Sequence, residues 1–128
     1  MTSEDIAWVA GIFEADGSLY VDKNGKGGTA FPCLAIGMTD EDTIQKLKTT
    51  IGVGDVQGPY PGATDNRKPY WRYRLRNKDA VEKLCELMLP WLSKRRTAKV
   101  HEILHFIDMS PRRYARGTRG ETICIGLR

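Results

Sequence analysis

The chain has little of several things. Its three cysteines, Cys33, Cys85 and Cys124, are odd in number, far apart and without a CxxC pair. That pattern builds no disulfide framework and reads as reduced thiols, more often buried than reactive. No stretch approaches 18 consecutive apolar residues, so no membrane span and no membrane partner is expected. The first residues lack a basic segment followed by an apolar run, so no secretory signal is expected and the predicted location is cytoplasmic or organellar. There are two histidines, His101 and His105. What is present is ordinary: 41% hydrophobic and 28% charged residues over 128 positions suit one compact domain with its own core.

Charge is the first departure from the ordinary. The net value is only +4, yet residues 1–66 carry 4 basic and 10 acidic side chains, whereas residues 67–99 carry 11 basic and 3 acidic ones. The last 18 residues add five arginines against one glutamate. A basic region of this density raises local affinity and on-rate for a polyanion, and nucleic acid is the natural partner class.

Periodicity orders the elements. SEDIAWVAGIFEA reads as a helix capped by Ser3, with Ile6, Val9 and Phe13 inward and Gly11 and Ala15 four apart on another face. GSLYVDKN and AFPCLAIGMT alternate as strands around an NGKGG turn. TDEDTIQKLKTTIG is a second helix, stopped at Gly52, with Ile44, Leu47 and Ile51 inward. GDVQGPY, the loop PGATDNRKP and YWRYRLR follow as strand, loop and strand. In the last of these Trp71, Tyr73 and Leu75 share one face and Arg72, Arg74 and Arg76 the other. NKDAVEKLCELML is a third helix ended by Pro90, and WLSKRRTAKVHEILHFIDM a fourth with Val100, Ile103, Leu104 and Ile107 inward. The class is α+β: one domain over residues 1–110, built as two similar helix-and-hairpin halves, then a basic tail over 111–128 in which TICIGL could form a short strand.

The stretch VAGIFEADG, residues 9–17, pairs two small residues on a helix with a carboxylate at its end. Small residues four apart let two helices approach closely, and two acids brought together share a hard divalent cation. The stretch resembles the signature of the LAGLIDADG homing endonucleases at Ala10, Gly11, Ile12, Ala15, Asp16 and Gly17. IGVG at 51–54, the arginine strand before a helix, and LPWLSKRR at 89–96 fall where that family has similar segments, so the resemblance spans residues 5–108. It implies an αββαββα fold with a saddle-shaped antiparallel sheet lying on double-stranded DNA. It also implies metal-dependent cleavage of both strands of a long pseudo-palindromic site, as in intron homing. With one signature in the chain, it implies a homodimer packed through Gly11 and Ala15.

Carried over residue by residue, the resemblance makes Asp16 the metal ligand, with the Ala15 carbonyl as a further one and Glu14 structural. The metal would be Mg²⁺, with Mn²⁺ as an alternative and Ca²⁺ as a non-cleaving substitute. The active-site cation is Lys94 or Arg95, because alignment by Pro90 and by Ala98 differs by one residue. Lys94 is preferred, since an ammonium can polarise water whereas a guanidinium stays protonated. Asp40, beside Thr39, matches a water-holding position, and would otherwise be a plain helix cap. Alternation then assigns Ser18, Tyr20, Asp22, Asn24, Gln57, Arg72, Arg74 and Arg76 to the DNA face, with Arg95 close by.

Two other readings share the chain. HEILH, residues 101–105, matches the HExxH pattern of zinc hydrolases, with Glu121 as the acid on offer for a third ligand. A saddle that binds DNA or RNA without cutting, as an intron maturase or transcription regulator does, would need the arginine strand but not Asp16.

Overall fold

The computed structural model describes residues 1–23 and 30–110; Asn24 with the rest of the NGKGG turn, and the tail with TICIGL and Glu121, lie outside the described residues. The element order is α1 (Ser3–Asp16), β1 (Gly17–Lys23), β2 (Ala30–Met38), α2 (Glu41–Ile51), β3 (Asp55–Tyr60), β4 (Tyr70–Leu75), α3 (Lys78–Met88), the short 3₁₀ turn Leu89–Trp91 and α4 (Lys94–Met109). This is the α+β order of four helices and four strands read from the periodicity, and it contains the αββαββα succession that the resemblance implies, followed by α4. The four strands form one antiparallel sheet in the order β1-β2-β4-β3.

Local chemistry explains each boundary. α1 starts one residue earlier than its sequence suggests. Thr2, not Ser3, is the cap: its hydroxyl accepts from Asp5 N at 3.1 Å, while the Asp5 carboxylate accepts from Thr2 N at 3.0 Å. That reciprocal pair needs an acid three residues after the cap, which Thr2 has in Asp5. Asp40, Asn77 and Ser93 cap α2, α3 and α4 through their own side-chain oxygens. Gly52 ends α2 with φ 93°, a left-handed conformation that a side chain would oppose. Pro90 cannot continue α3, and the chain tightens into the 3₁₀ turn, so α4 begins at Lys94 rather than at Trp91.

All four helices lie on one face of the sheet: α1 and α4 over β1 and β2, α2 over β2, β3 and β4, α3 over β2. The core fills the space between. Val9, Ala10 and Phe13 of α1 meet Leu19, Leu34, Ile36, Tyr73 and Leu75 of the strands, closed by Ile44, Leu47, Ile51, Leu84, Val100, Ile103 and Ile107. Ile6, Trp71 and Leu104, read as inward, are only half-buried. Tyr73 is fully buried and its hydroxyl donates to Val53 O at 2.7 Å, which satisfies the one polar atom it brings inside. Cys33 and Cys85 are buried free thiols, and burial pushes Cys85 up to about 12, so it is inert.

Candidate nucleic-acid interface and active site

The register decides which side chains share the helix-free face. Ser18 opposes Ala35, Tyr20 opposes Cys33 and Asp22 opposes Phe31 across β1 and β2; Arg74 opposes Ala35 and Arg72 opposes Gly37 across β2 and β4; Asp55 opposes Arg74 and Gln57 opposes Arg72 across β3 and β4. Because side chains alternate, Ser18, Tyr20, Asp22, Gln57, Arg72 and Arg74 stand on one surface, with Arg76 just past the end of β4 beside them. No described helix covers it.

The arginines are held unequally. Arg76 stacks on the Phe31 ring, 4.6 Å from its centroid, and lies 3.9 Å from Asp22. With both side chains about 40% exposed, that ion pair adds little stability and serves mainly to aim the guanidinium. Arg72 stacks on Tyr60 at 5.5 Å, and Tyr60 in turn donates to Gln57 Oε1 at 3.0 Å. Arg74 has neither a ring nor an ion pair among the described residues, and its Nε is buried without a hydrogen-bond partner. The Tyr20 hydroxyl and the Cys33 thiol are hydrogen-bonded at 3.3 Å, and this pairing with a neutral thiol, together with burial, raises the phenol's pKa.

The second part of the site lies where α1 turns into β1. Asp16 is the last residue of α1, exposed, and makes no hydrogen bond or ion pair among the described residues. Gly17 follows in extended backbone but buried: a Cβ there would lie 2.7 Å from Phe13 O, so the close exit of the chain requires glycine. Gly11 and Ala15 are exposed on the outward face of α1, and a Cβ on Gly11 would meet nothing of this chain within 4 Å. The intrachain helix crossing that the small residues could equally serve is therefore absent from the described residues.

A cleft of about 740 Å³ opens between β1 and α4, lined by Gly17, Ser18, Leu19, Tyr20, Arg95, Arg96, Ala98, Lys99 and Glu102. Arg95 is on its wall, whereas Lys94, the first residue of α4, is exposed and not among the lining residues. The end of α1 and the start of α4 are joined by Glu14. Its Oε1 accepts from Ser93 N and its Oε2 from Ser93 Oγ, both at 2.8 Å; Arg96 Nε donates to Glu14 O at 3.3 Å and the Arg96 guanidinium lies 5.0 Å over the Phe13 ring. The two Ser93 bonds hold the Glu14 carboxyl below its usual pKa, with Arg96 and Arg95 adding to the effect. The sequence marks Glu14 as structural but not as a link to Ser93. The signal, an acid in the signature and a Ser before a basic helix start, is visible only once two residues 79 positions apart are folded together.

Asp40 is brought to the same end of the sheet, since β2 runs toward it from Ile36, the partner of Gly17. Its carboxylate is engaged as the cap of α2: Oδ1 accepts from Asp42 N at 3.1 Å and Oδ2 from Thr43 Oγ1 at 2.8 Å. His101, Glu102 and His105 are exposed on α4, and Glu102 pairs with Lys99 at 3.2 Å. Among the described residues no group of three or more His, Cys, Asp or Glu is placed to hold a metal ion, at HEILH or at Asp16. An ion at Asp16 would thus need donors beyond the described side chains, such as the Ala15 carbonyl, a phosphate, or a second copy. No described helix is long and apolar enough to cross a membrane.

No protein-family model and no curated protein matches the chain. Solved structures do. The homing endonuclease I-CvuI, in complex with its target in the presence of Ca, superposes with a TM-score of 0.69 at 17% identity, over 83% of this chain and 67% of that one. The group I intron-encoded homing endonuclease I-CeuI, complexed with DNA, gives 0.65 at 13% identity over 94% and 59%. The LAGLIDADG meganuclease I-AabMI, bound to uncleaved DNA, gives 0.66 at 14% identity over 92% and 40%. The fold is that of the homing endonucleases.

Proposed function

We propose that this chain is a divalent-metal-dependent endonuclease of the homing type that binds double-stranded DNA as a homodimer and cuts both strands of a long pseudo-palindromic site. The observation that carries the reading is the juxtaposition of an arginine-bearing sheet face, which no described helix covers, with the exposed carboxylate of Asp16, unpaired among the described residues, at the end of an exposed small-residue helix face. Arg72, Arg74 and Arg76, with Ser18, Tyr20, Asp22 and Gln57, face the duplex and contact base edges and phosphates. Asp16, with the Ala15 carbonyl, holds the metal, which supplies charge neutralisation and an activated water at the phosphate. Lys94 at the start of α4, or Arg95 on the cleft wall, serves as the active-site cation, and Asp40 holds water there with whatever capacity its cap leaves free.

The homodimer is supported by the donors available: among the described residues Asp16 belongs to no group of three or more metal-ligating side chains, and packing α1 against α1 through Gly11 and Ala15 would bring two such carboxylates together. The reading is tested by incubating the protein with a random double-stranded library in Mg²⁺ and sequencing the ends. Recovery of one cleaved consensus, lost in Asp16→Asn, supports it. Tight binding with no cleavage in Mg²⁺ or Mn²⁺ replaces it with the non-cutting DNA- or RNA-binding relative.

A further inference from the structure

We infer that Glu14 is a positioning residue, which holds the basic first turn of α4 in register with Asp16. The inference rests on the nuclease reading and deepens it. Glu14 lies two residues before Asp16 on one rigid helix, and Ser93 lies one residue before Lys94 and two before Arg95. The link between Glu14 and Ser93 is therefore a short non-covalent path between the proposed metal ligand and the proposed cations. It is bidentate, so it fixes direction as well as distance: one carboxylate oxygen takes the Ser93 amide and the other takes the Ser93 hydroxyl.

Ser93 is used twice. Its Oγ donates to Glu14 and accepts from Arg96 N at 3.5 Å, so the cap of α4 and the clamp to α1 share one atom. Arg96 closes the arrangement from the other side, through Glu14 O and the Phe13 ring. A carboxylate at this point also meets the positive end of the α4 dipole. Beyond the clamp, α1 rests on β1, β2 and α3, while α4 rests on β1, β2 and α3 from its own side. Displacing reacting groups by about 1 Å can cost about 100-fold in rate, so a lost register should appear in turnover before it appears in binding.

The test compares Glu14→Ala, Glu14→Gln and Ser93→Ala with wild type. It measures single-turnover cleavage in Mg²⁺, affinity for the same site in Ca²⁺, and thermal unfolding. Glu14→Ala should slow cleavage by roughly 10–100-fold while affinity stays within about threefold. Glu14→Gln should recover most of the rate, because the amide oxygen still accepts and the Ser93 hydroxyl can rotate to accept from the NH₂. Ser93→Ala, which keeps only the backbone bond, should fall between and carries the test should Glu14→Ala fail to fold. Wild-type cleavage rates in folded Glu14→Ala, or in Ser93→Ala, overturn the inference, as does an equal loss of rate and affinity. A wild-type protein that cuts no DNA overturns the nuclease reading itself, and the positioning role with it.

Discussion

At Asp16 a carboxylate stands exposed, without a partner among the described residues and at the negative end of its own helix, a place mildly unfavourable for it. Asp16→Asn is therefore expected to leave stability unchanged or slightly raised, to abolish cleavage, and to keep site binding in Ca²⁺ largely intact; cutting at the wild-type rate would refute the metal-ligand assignment. Gly17 is the opposite case. An added methyl group meets Phe13 backbone atoms that cannot swing away, so Gly17→Ala should destabilise by about 1–3 kcal/mol, read as a lower denaturation midpoint at constant slope. Both residues are legible in the sequence because nine contiguous positions describe a helix end. Glu14 is legible only as an acid in that run, since its partner is supplied by a helix start far along the chain.

At the scale of elements, alternation in YWRYRLR is enough to separate Tyr73 and Leu75 from Arg72 and Arg74, because a strand's period of two leaves no other solution. The pairing order β1-β2-β4-β3 and the aromatic seats of Arg72 and Arg76 are not readable, because they depend on which strands become neighbours. Asp40 shows a further limit: a cap and a water-holding acid are written with the same letter, and only the folded chain shows its oxygens bonded to α2. For the arginines the expected outcomes differ. Arg74 leaves a buried N–H unpaired in the free protein, so Arg74→Ala should cost no stability, yet weaken DNA binding by about 1–3 kcal/mol per half-site and relax preference at one base pair. Arg72→Ala and Arg76→Ala should each lower the salt slope by about 1 for every phosphate the protein no longer neutralises. Affinity titrations at several salt concentrations decide this, and three variants that bind like wild type remove the sheet face from the interface. The Glu14 clamp has a pH dependence of its own. The folded pKa lies below the ordinary 4.5, so the clamp stabilises fully above that value and is lost as pH falls through the folded one. Acid unfolding of Glu14→Gln should accordingly be shallower in that window than that of wild type.

For the whole molecule, the decisive question is what covers the outward face of α1. Helix α3 and the sheet pack against α1, whose Val9, Ala10 and Phe13 are buried, yet Gly11 and Ala15 are left uncovered among the described residues. A second copy seated there would bring two Asp16 carboxylates together and set two arginine faces along one duplex, which makes the target two-fold symmetric. Gly11→Leu tests this cleanly, because the two possible outcomes have opposite signs. Within one chain the new side chain's Cβ meets no neighbour, and exchanging glycine for leucine inside a helix should stabilise the monomer by about 0.5–1 kcal/mol. Across a close helix pair the same side chain forces the backbones apart. The expected result is a protein that unfolds no earlier than wild type at high dilution, sediments as a monomer, and nicks or spares DNA where wild type makes double-strand breaks. Wild type should also unfold at a temperature that rises with its concentration, and Gly11→Leu should not. A Gly11→Leu protein that sediments as a dimer and still breaks both strands in one encounter would show that the chain pairs through some other surface.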